Sequence, residues 1–229
     1  MKTVDQILAD LAEMSNPEYV SMMEHFGIKG AKALGIKNGV LKPYSKTIGR
    51  NQELACELWD EPIHEAKLLA LWISEPKDFT EEIAEKWVAE SYSWDLIDAM
   101  GMKIIPKTPY ANEKVIEWSK REPEFEKRMG FATMVGITLH HKKTPDERIA
   151  EFLTIIEREA GDERNFVKKA VNWALRTIGK RSLYLNKLAI KSAKEIQKQD
   201  TKSARWIAAD AIRELEGEKV QERLRDKGL

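Results

Sequence analysis

Apolar residues recur every three or four positions along almost the whole chain, which is the period of an amphipathic α-helix. Ala, Leu, Glu and Lys, which favour helices, dominate these segments, and alternating runs of β-branched residues are absent from the sequence. The pattern therefore predicts an all-α protein. The predicted helices span residues 3–14, 16–25, 29–36, 41–49, 51–59, 62–74, 79–89, 93–100, 111–120, 123–141, 145–160, 163–179, 183–198 and 201–216.

The predicted helices come in pairs. Their second members are expected to begin near residues 64, 93, 124, 163 and 203. Spacings of roughly 30 to 40 residues, with two helices in each unit, are typical of HEAT-like repeats, whose antiparallel helix pairs stack into a curved α-solenoid. An irregular helical bundle is the alternative. Because no Gly-, Ser- or Pro-rich linker divides the chain, we expect one domain over 1–229, in which the polar segment 217–229 is a frayed tail.

The charge balance limits the possible partners. Lys and Arg together number 38, as do Asp and Glu, so a nucleic-acid surface would need basic and acidic residues segregated onto different faces.

Cys56 is the single cysteine, which excludes a disulfide framework and a cysteine-based zinc site. The sequence has no apolar run long enough to span a bilayer and no signal peptide, and these observations predict a cytoplasmic, soluble protein, which we expect to be a monomer.

One predicted helix, over residues 163–179, is strongly basic and carries Trp173. A cationic helix with an aromatic side chain suits a polyanion whose bases or sugars can lie against a π-face. Three other tryptophans, Trp59, Trp72 and Trp206, are expected to pack inside the protein. The basic residues around Trp173 are Lys168, Lys169, Arg176, Lys180 and Arg181.

Several segments resemble, in order, the signatures of the AlkD-type DNA alkylation repair family. The resemblance covers about residues 20–200 and is carried by 58–71 (LWDEPIHEAKLLAL), 91–101 (SYSWDLIDAMG), 118–134 (WSKREPEFEKRMGFATM) and 166–180 (FVKKAVNWALRTIGK), with a looser match at 35–46 (GIKNGVLKPYSK). It implies a HEAT-like solenoid that binds duplex DNA. It also implies hydrolysis of the N-glycosidic bond of cationic alkylpurines such as N7-methylguanine and N3-methyladenine, without metal or cofactor.

The resemblance also implies roles for individual residues. Asp95, in the Trp-Asp pair, matches the catalytic carboxylate, with Asp98 in reserve, and Trp94 is a second aromatic candidate for the lesion. Arg128 would clamp phosphate and Trp173 would meet the lesion nucleotide, with Lys168, Lys169, Arg176 and Lys180 as DNA contacts. Four of them have a plain structural alternative: Asp95 in the first turn of its helix, Asp98 in an ion pair or a helix-end contact, Arg128 as a solvated charge and Trp94 as a core anchor.

A single carboxylate is chemically sufficient for this reaction. A purine alkylated at N3 or N7 is already a good leaving group, and its departure leaves an oxocarbenium-like sugar that a carboxylate stabilises while it positions a water. One departure from the family pattern is the small Ser93 just before the Trp-Asp pair, with Tyr92 and Ser91 beside it. The four histidines show no metal-binding spacing. Two further hypotheses stay open: a non-catalytic module for damaged or branched DNA, and a protein–protein scaffold.

Overall fold

The computed structural model describes residues 2–28 and 32–226, and within these ranges the protein is all-α, as predicted. The described helices are α1 (Val4–Glu13), α2 (Pro17–His25), α3 (Asn38–Ile48), α4 (Gln52–Asp60), α5 (His64–Ile73), α6 (Glu81–Glu90), α7 (Trp94–Lys103), α8 (Ala111–Trp118), α9 (Glu124–His140), α10 (Asp146–Glu159), α11 (Asn165–Gly179), α12 (Leu183–Ile196), α13 (Lys202–Leu215) and α14 (Glu218–Asp226), with a short 3-10 helix at Ile105–Lys107.

Local sequence explains where several helices begin. The side chains of Thr80, Ser182 and Thr201 each accept a hydrogen bond from the backbone N–H three residues later, which satisfies a donor that the first helical turn leaves without a partner. The second helices of the pairs begin at residues 64, 94, 124, 165 and 202, close to the predicted starts. The helical period and the cap residues therefore place most elements correctly.

The chain forms two compact units, Met1–Pro109 and Tyr110–Leu229. In the first unit, α5 is the central element and packs against α1, α3, α4 and α7. Most of its residues are buried, including Leu69 and Ile73, which explains why this helix has the most apolar sequence. Trp59 of α4 and Trp87 of α6 are fully buried and stack with ring centroids 4.2 Å apart, so the predicted burial of Trp59 is confirmed.

The predicted helix over residues 29–36 is wrong in its described part, because residues 32–36 are not helical. Glu65, fully buried at the start of α5, accepts hydrogen bonds from the backbone N–H groups of Leu34, Gly35 and Ile36 at 2.8–3.1 Å. Three successive donors that point at one carboxylate are no longer available for helical hydrogen bonds. Gly35 has φ +76°, and a side chain there would collide with the carbonyl of Asn16. Residues 29–31 lie outside the described ranges.

In the second unit, α11 packs against α9, α10, α12 and α13, and its buried face includes Val171 and Leu175. Helices α8 and α9 approach closely at Gly130 of α9. A side chain at this position would place its Cβ only 2.7 Å from the backbone nitrogen of Ser119, at the end of α8. The core contains Trp118 and Phe131, both fully buried. Short connections join helices that pack on each other, as between α12 and α13, so these neighbours form antiparallel pairs.

The segment expected to fray differs from the prediction. Residues 218–226 form α14, whose Leu224 is fully buried. Gln221 donates from Nε2 to Oδ1 of Asn186 at 3.0 Å, and this contact fastens α14 to α12. Arg223 also donates to the carbonyl of Lys180 at 3.1 Å, so polar contacts supply most of the attachment, which explains why the largely polar sequence gave little signal. The remaining residues, 227–229, lie outside the described ranges. Within those ranges, no helix combines the length and apolar character needed to cross a membrane.

Candidate active site

A pocket of about 740 Å³ lies within the first unit, between α3, α5 and α7. Leu68 and Leu71 of α5 and Ala99 and Met102 of α7 give it an apolar lining. Two tryptophans, Trp72 and Trp94, and two carboxylates, Asp95 and Asp98, also line it. Five cations line the same pocket, and we call them the rim cations: Lys42, Lys46, Arg50, Lys103 and Lys107.

The rim cations come from two parts of the chain. Lys42 and Lys46 lie one turn apart on α3, and Arg50 follows just after that helix ends. Lys103 ends α7 and Lys107 ends the 3-10 helix. All five are exposed, although Arg50 also donates from Nη1 to the carbonyl of Ser74. Positive charge is therefore concentrated around an apolar and aromatic interior.

Trp72 is half-buried and lines the pocket, so the expectation that it packs inside is wrong in part. The Lys42 ammonium lies over its ring, 5.6 Å from the centroid. Trp94 is also half-buried, and its Nε1–H donates to the carbonyl of Phe26 at 2.9 Å. This bond fixes the position of the indole. Trp94 is therefore part of the pocket wall and not a core anchor.

Asp95 lies in the first turn of α7, with a side chain that is 13% exposed. Both of its oxygens have protein partners. Oδ1 accepts from the Ser93 hydroxyl at 2.6 Å, and Oδ2 lies 2.9 Å from Nε2 of the fully buried His64. Ser93 is the N-cap residue, yet its hydroxyl turns toward Asp95 instead of capping the helix. The carboxylate is thus held firmly in place by two side chains.

These contacts determine the charge on Asp95. Burial alone would raise its pKa, but the hydrogen bond and charge interaction with His64, together with the Ser93 hydroxyl and a backbone N–H, lower the pKa below its ordinary value. Asp95 is therefore a carboxylate at neutral pH. As an acceptor it requires a proton on Nε2 of His64.

Tyr92 completes this group. Its hydroxyl lies 3.0 Å from Nδ1 of His64, on the side of the ring opposite Asp95. Burial and the nearby negative charges of Asp95 and Glu65 raise the pKa of Tyr92, which keeps its hydroxyl protonated. His64 therefore contacts Asp95 through Nε2 and Tyr92 through Nδ1. The result is a chain of hydrogen bonds from Tyr92 through His64 to Asp95.

Sequence reasoning missed His64, because the spacing of the histidines bears only on metal binding. A usable signal was present. His64 begins α5 and Trp94 begins α7, so both stand at the same position of successive helix pairs, where side chains from the two helix starts can meet.

Asp98 lies about one turn after Trp94 and Asp95 on α7, is half-buried and lines the pocket. The structure thus brings three of the predicted residues, Trp94, Asp95 and Asp98, to one wall of one pocket. Sequence reasoning missed the rim cations, which lie beside them. Their signal was the i, i+4 spacing of Lys42 and Lys46 within the segment 35–46, which was noted for its resemblance and not for its charge.

Arg128 belongs to the second unit and is buried, not solvated. Its Nη1 donates to the backbone carbonyl of Phe166 at 2.6 Å, at the start of α11. The neighbouring Lys127 is also buried and forms an ion pair with Glu159 at 2.8 Å. Both cations therefore tie α9 to the elements that follow it.

The basic helix α11 makes a regular set of contacts with α13, which we call the α11/α13 ladder. Lys168 lies over the Trp206 ring, 5.1 Å from its centroid, and Asn172 donates to Asp210 at 2.7 Å. These side chains are four residues apart on each helix, so the two helices run in the same direction.

The ladder continues toward the end of α11. Arg176 forms an ion pair with Glu214, and Lys180 pairs with the same carboxylate at 2.5 Å. Arg181 donates to Asp146 and to carbonyl groups at the end of α9. Lys169 is exposed to solvent and Trp173 is half-buried. Trp206 is 42% exposed, so its predicted place in the core is wrong: α13 turns it outward beneath Lys168.

No group of three or more His, Cys, Asp or Glu side chains in residues 2–28 and 32–226 is arranged to hold a metal ion. Cys56 is a half-buried free thiol, whose sulfur accepts a weak contact from Gln52.

Comparisons with known proteins agree with this architecture. A family model described as DNA alkylation repair enzyme matches residues 7–215. An uncharacterised protein of Listeria innocua, Lin0241, is 28% identical over 203 residues, which cover 86% of this chain and 88% of that protein.

Two solved structures are similar in fold. One represents a family of proteins related to the HEAT-like repeat DNA glycosylases with affinity for branched DNA structures; it has a TM-score of 0.78 at 20% identity and covers 93% of this chain and 95% of that one. The other is described as a predicted DNA alkylation repair enzyme from Enterococcus faecalis; it has a TM-score of 0.60 at 17% identity and covers 82% of this chain and 98% of that one. These likenesses confirm the predicted HEAT-like fold. Since the family model matches most of the sequence, the chain belongs to the DNA alkylation repair enzyme family.

Proposed function

We propose that this protein is a DNA glycosylase that hydrolyses the N-glycosidic bond of positively charged alkylpurines, such as N7-methylguanine and N3-methyladenine, in duplex DNA during base excision repair. One observation carries the proposal: a tryptophan and two carboxylates share one face of α7 inside a pocket lined by five cations. The cations suit DNA phosphates, the indole suits a cationic base, and a carboxylate suits the sugar cation that forms when the base leaves.

The geometry favours Asp98 over Asp95 as the carboxylate that meets the sugar. Both Asp95 oxygens are engaged by His64 and Ser93, so Asp95 is better suited to hold the start of α7 in place than to approach a substrate. Asp98 lies on the pocket wall one turn later. We therefore assign Asp98 the stabilisation of the sugar cation and the positioning of water, and Asp95 the positioning of α7.

The second unit supplies further candidate DNA contacts. Trp173 and Arg128 remain our candidates for the lesion and its phosphate, and Lys168 and Lys169 for the DNA backbone. Arg176 and Lys180 are the weaker candidates of this set, because each is paired with Glu214 and would have to exchange that carboxylate for a phosphate. The reaction proposed here uses water as its co-substrate and needs no metal or cofactor, because the alkylated base already carries the charge that makes it leave.

The test is release of methylated purines from N-methylated duplex DNA by the wild type, Asp98→Asn and Asp95→Asn. We expect the wild type to release both bases and Asp98→Asn to lose about a hundredfold or more in rate, as is typical when a preorganised electrostatic group is removed. Asp95→Asn should retain more activity at a temperature where it is folded. The reverse order would make Asp95 the reacting carboxylate. A wild type that binds the DNA but releases neither base would exclude the glycosylase.

A non-catalytic module for branched DNA is the second candidate. It is favoured by the similarity of fold to proteins with affinity for branched DNA structures, and by the engagement of both Asp95 oxygens within the protein. Tighter binding to a three- or four-way junction than to linear duplex of equal length, without base release, is the outcome that would favour it.

A further inference from the structure

Trp72 presents an aromatic face that a mobile group covers. It lies in the last turn of α5, half-buried, with the Lys42 ammonium 5.6 Å from the ring centroid. Lysine has a flexible four-carbon stem and three rotatable donors, so Lys42, which is exposed on α3, can leave the ring without any movement of its helix. A cation–π contact at such an accessible site is weak. The Trp72 face is therefore available to a better partner.

The pocket is far larger than a lysine head requires. Its volume of about 740 Å³ lies within the range of roughly 300–1,000 Å³ that is usual for small-ligand sites. Leu68, Leu71, Ala99 and Met102 line it beside Trp72. Flat apolar and aromatic surroundings of this kind suit a nucleobase, whichever base it is, because every base has a π-face.

The remaining rim cations come from two separate parts of the chain. Lys46 and Arg50 come from the end of α3, whereas Lys103 and Lys107 come from the end of α7 and the 3-10 helix. A nucleotide within a strand has a phosphate on each side of its sugar. Two separate groups of cations around one aromatic face therefore match the charge pattern of a single nucleotide that is still joined to its neighbours.

We propose that this pocket receives one unpaired nucleotide of a DNA strand, whose base stacks on Trp72 in place of Lys42 while the displaced lysine joins the other rim cations at the flanking phosphates. Trp72 then gives the protein a preference for DNA that contains an unstacked nucleotide, and Lys42 weakens that preference by competing for the ring. The inference shares with the proposed function its DNA ligand and does not require base release.

The experiment compares binding to a duplex with a single-nucleotide bulge and to the fully paired duplex of the same sequence, by fluorescence anisotropy at fixed salt. Placing 2-aminopurine at the bulge reports stacking directly, because stacking on an indole quenches its fluorescence. We expect the wild type to prefer the bulged duplex by roughly tenfold, the size of one base–aromatic stack. Trp72→Leu should bring the two affinities to within about twofold of each other and abolish the quenching that the protein causes.

Trp206→Leu is the matched control, because Trp206 is also partly exposed beneath a lysine but lies on α13 of the second unit. It should keep the preference of the wild type. Lys42→Met tests the competition: it should weaken binding to both duplexes through the lost phosphate contact, yet raise the ratio of bulged to paired affinity.

Three results would overturn the proposal: equal affinity of the wild type for the two duplexes, an unchanged preference in Trp72→Leu, or loss of the preference in Trp206→Leu to the same extent. Should Trp72→Leu fail to fold by circular dichroism, the 2-aminopurine signal of the wild type and the ratio for Lys42→Met decide instead, and a lowered or unchanged ratio contradicts the role of Lys42. Base release measured in parallel separates the two ideas. Release without bulge preference removes this inference alone, and preference without release removes the glycosylase alone.

Discussion

The pocket of the first unit and the α11/α13 ladder of the second use the same residue types for different ends. Both combine tryptophan with lysine and arginine one helical turn apart, and each has a lysine over an indole, Lys42 on Trp72 and Lys168 on Trp206. In the ladder, α13 places Asp210 and Glu214 one turn apart opposite the basic residues of α11. In the pocket, the rim cations line a cavity of about 740 Å³.

The difference shows that a basic helix is not by itself a binding surface. The charge available to a ligand is the charge that the carboxylates of the neighbouring helix leave unneutralised. By sequence, α11 is the strongest candidate for contacting DNA, yet Arg176 within it and Lys180 just after it share Glu214. The less conspicuous Lys46, Lys103 and Lys107 are exposed beside the carboxylates of the pocket.

The largest expected effect is on DNA binding and comes from removing the charge of three rim cations. The triple substitution Lys46→Gln, Lys103→Gln and Lys107→Gln should weaken duplex DNA binding on the order of a hundredfold at low salt. It should also reduce the slope of log affinity against log salt concentration by about three, one for each lost phosphate contact. The matched variant Arg176→Gln with Lys180→Gln should change the slope by less than about one. Equal changes in both variants would show that the ladder binds DNA as strongly as the rim.

The next effect concerns stability in the first unit. Asp95→Asn removes an acceptor from the buried His64 and the Ser93 hydroxyl, so we expect the free energy of unfolding to fall by about 1–3 kcal/mol in urea denaturation. A free energy of unfolding that Asp95→Asn leaves unchanged would show that the hydrogen bonds to His64 and Ser93 contribute nothing to stability.

A smaller effect is expected when cations of the ladder lose their carboxylate partner and become available to DNA, as the rim cations are. Glu214→Gln releases Arg176 and Lys180 from their shared partner, at a cost of roughly 1 kcal/mol because these side chains are partly exposed. The same substitution should steepen the salt dependence of DNA binding. An unchanged salt slope, with the stability loss observed, would confine the ladder to a structural role.

The smallest expected effect is in acid, where both regions lose stability. Burial alone would raise the pKa of Glu214, but Lys180 and Arg176 lower it, and the pKa of Asp95 is lowered by His64 and Ser93 despite burial. A carboxyl whose pKa is lower in the folded than in the unfolded state binds fewer protons when folded. Its stabilisation is therefore present above the unfolded pKa and is lost as pH falls through the folded one.

Urea midpoints measured from pH 7 to pH 3 check this expectation. The wild type should lose stability on acidification, and Asp95→Asn and Glu214→Gln should each flatten that loss. The difference between each variant and the wild type should shrink as the pH falls below the pKa of the folded carboxyl. A variant that keeps the full acid dependence would show that the carboxyl it removes contributes none of it.

Sequence alone predicted the helices well, since the apolar period and cap residues such as Thr80 and Thr201 act locally. It also placed Trp94, Asp95 and Asp98 together, because they share one helix face. Residues 32–37 could not be predicted in the same way. Their conformation is fixed by Glu65, about thirty residues later, and no local pattern announces a carboxylate that binds three backbone N–H groups.

The partners of side chains were the other part that could not be predicted. The exposure of Trp206 and the ion pairs of Glu214 depend on which face α13 turns toward α11, and the hydrogen bonds of His64 depend on how α5 meets α7. Such pairings are tertiary, so a list of charges along the chain does not contain them. The expected cytoplasmic location, monomeric state and single domain stay predictions.

The attachment of residues 34–36 to Glu65 also determines which sequence changes this region can accept. The bonds come from backbone N–H groups, which every residue except proline provides, so the half-buried position 34 can change its residue type while the segment keeps its shape, whereas Ile36 is also held by its place in the core. Gly35 has no such freedom, because of its positive φ and its contact with Asn16. If residues up to 36 were removed, the buried Glu65 carboxylate would lose its three N–H donors. A neutral Gln at position 65 would then be less costly to bury than the native Glu.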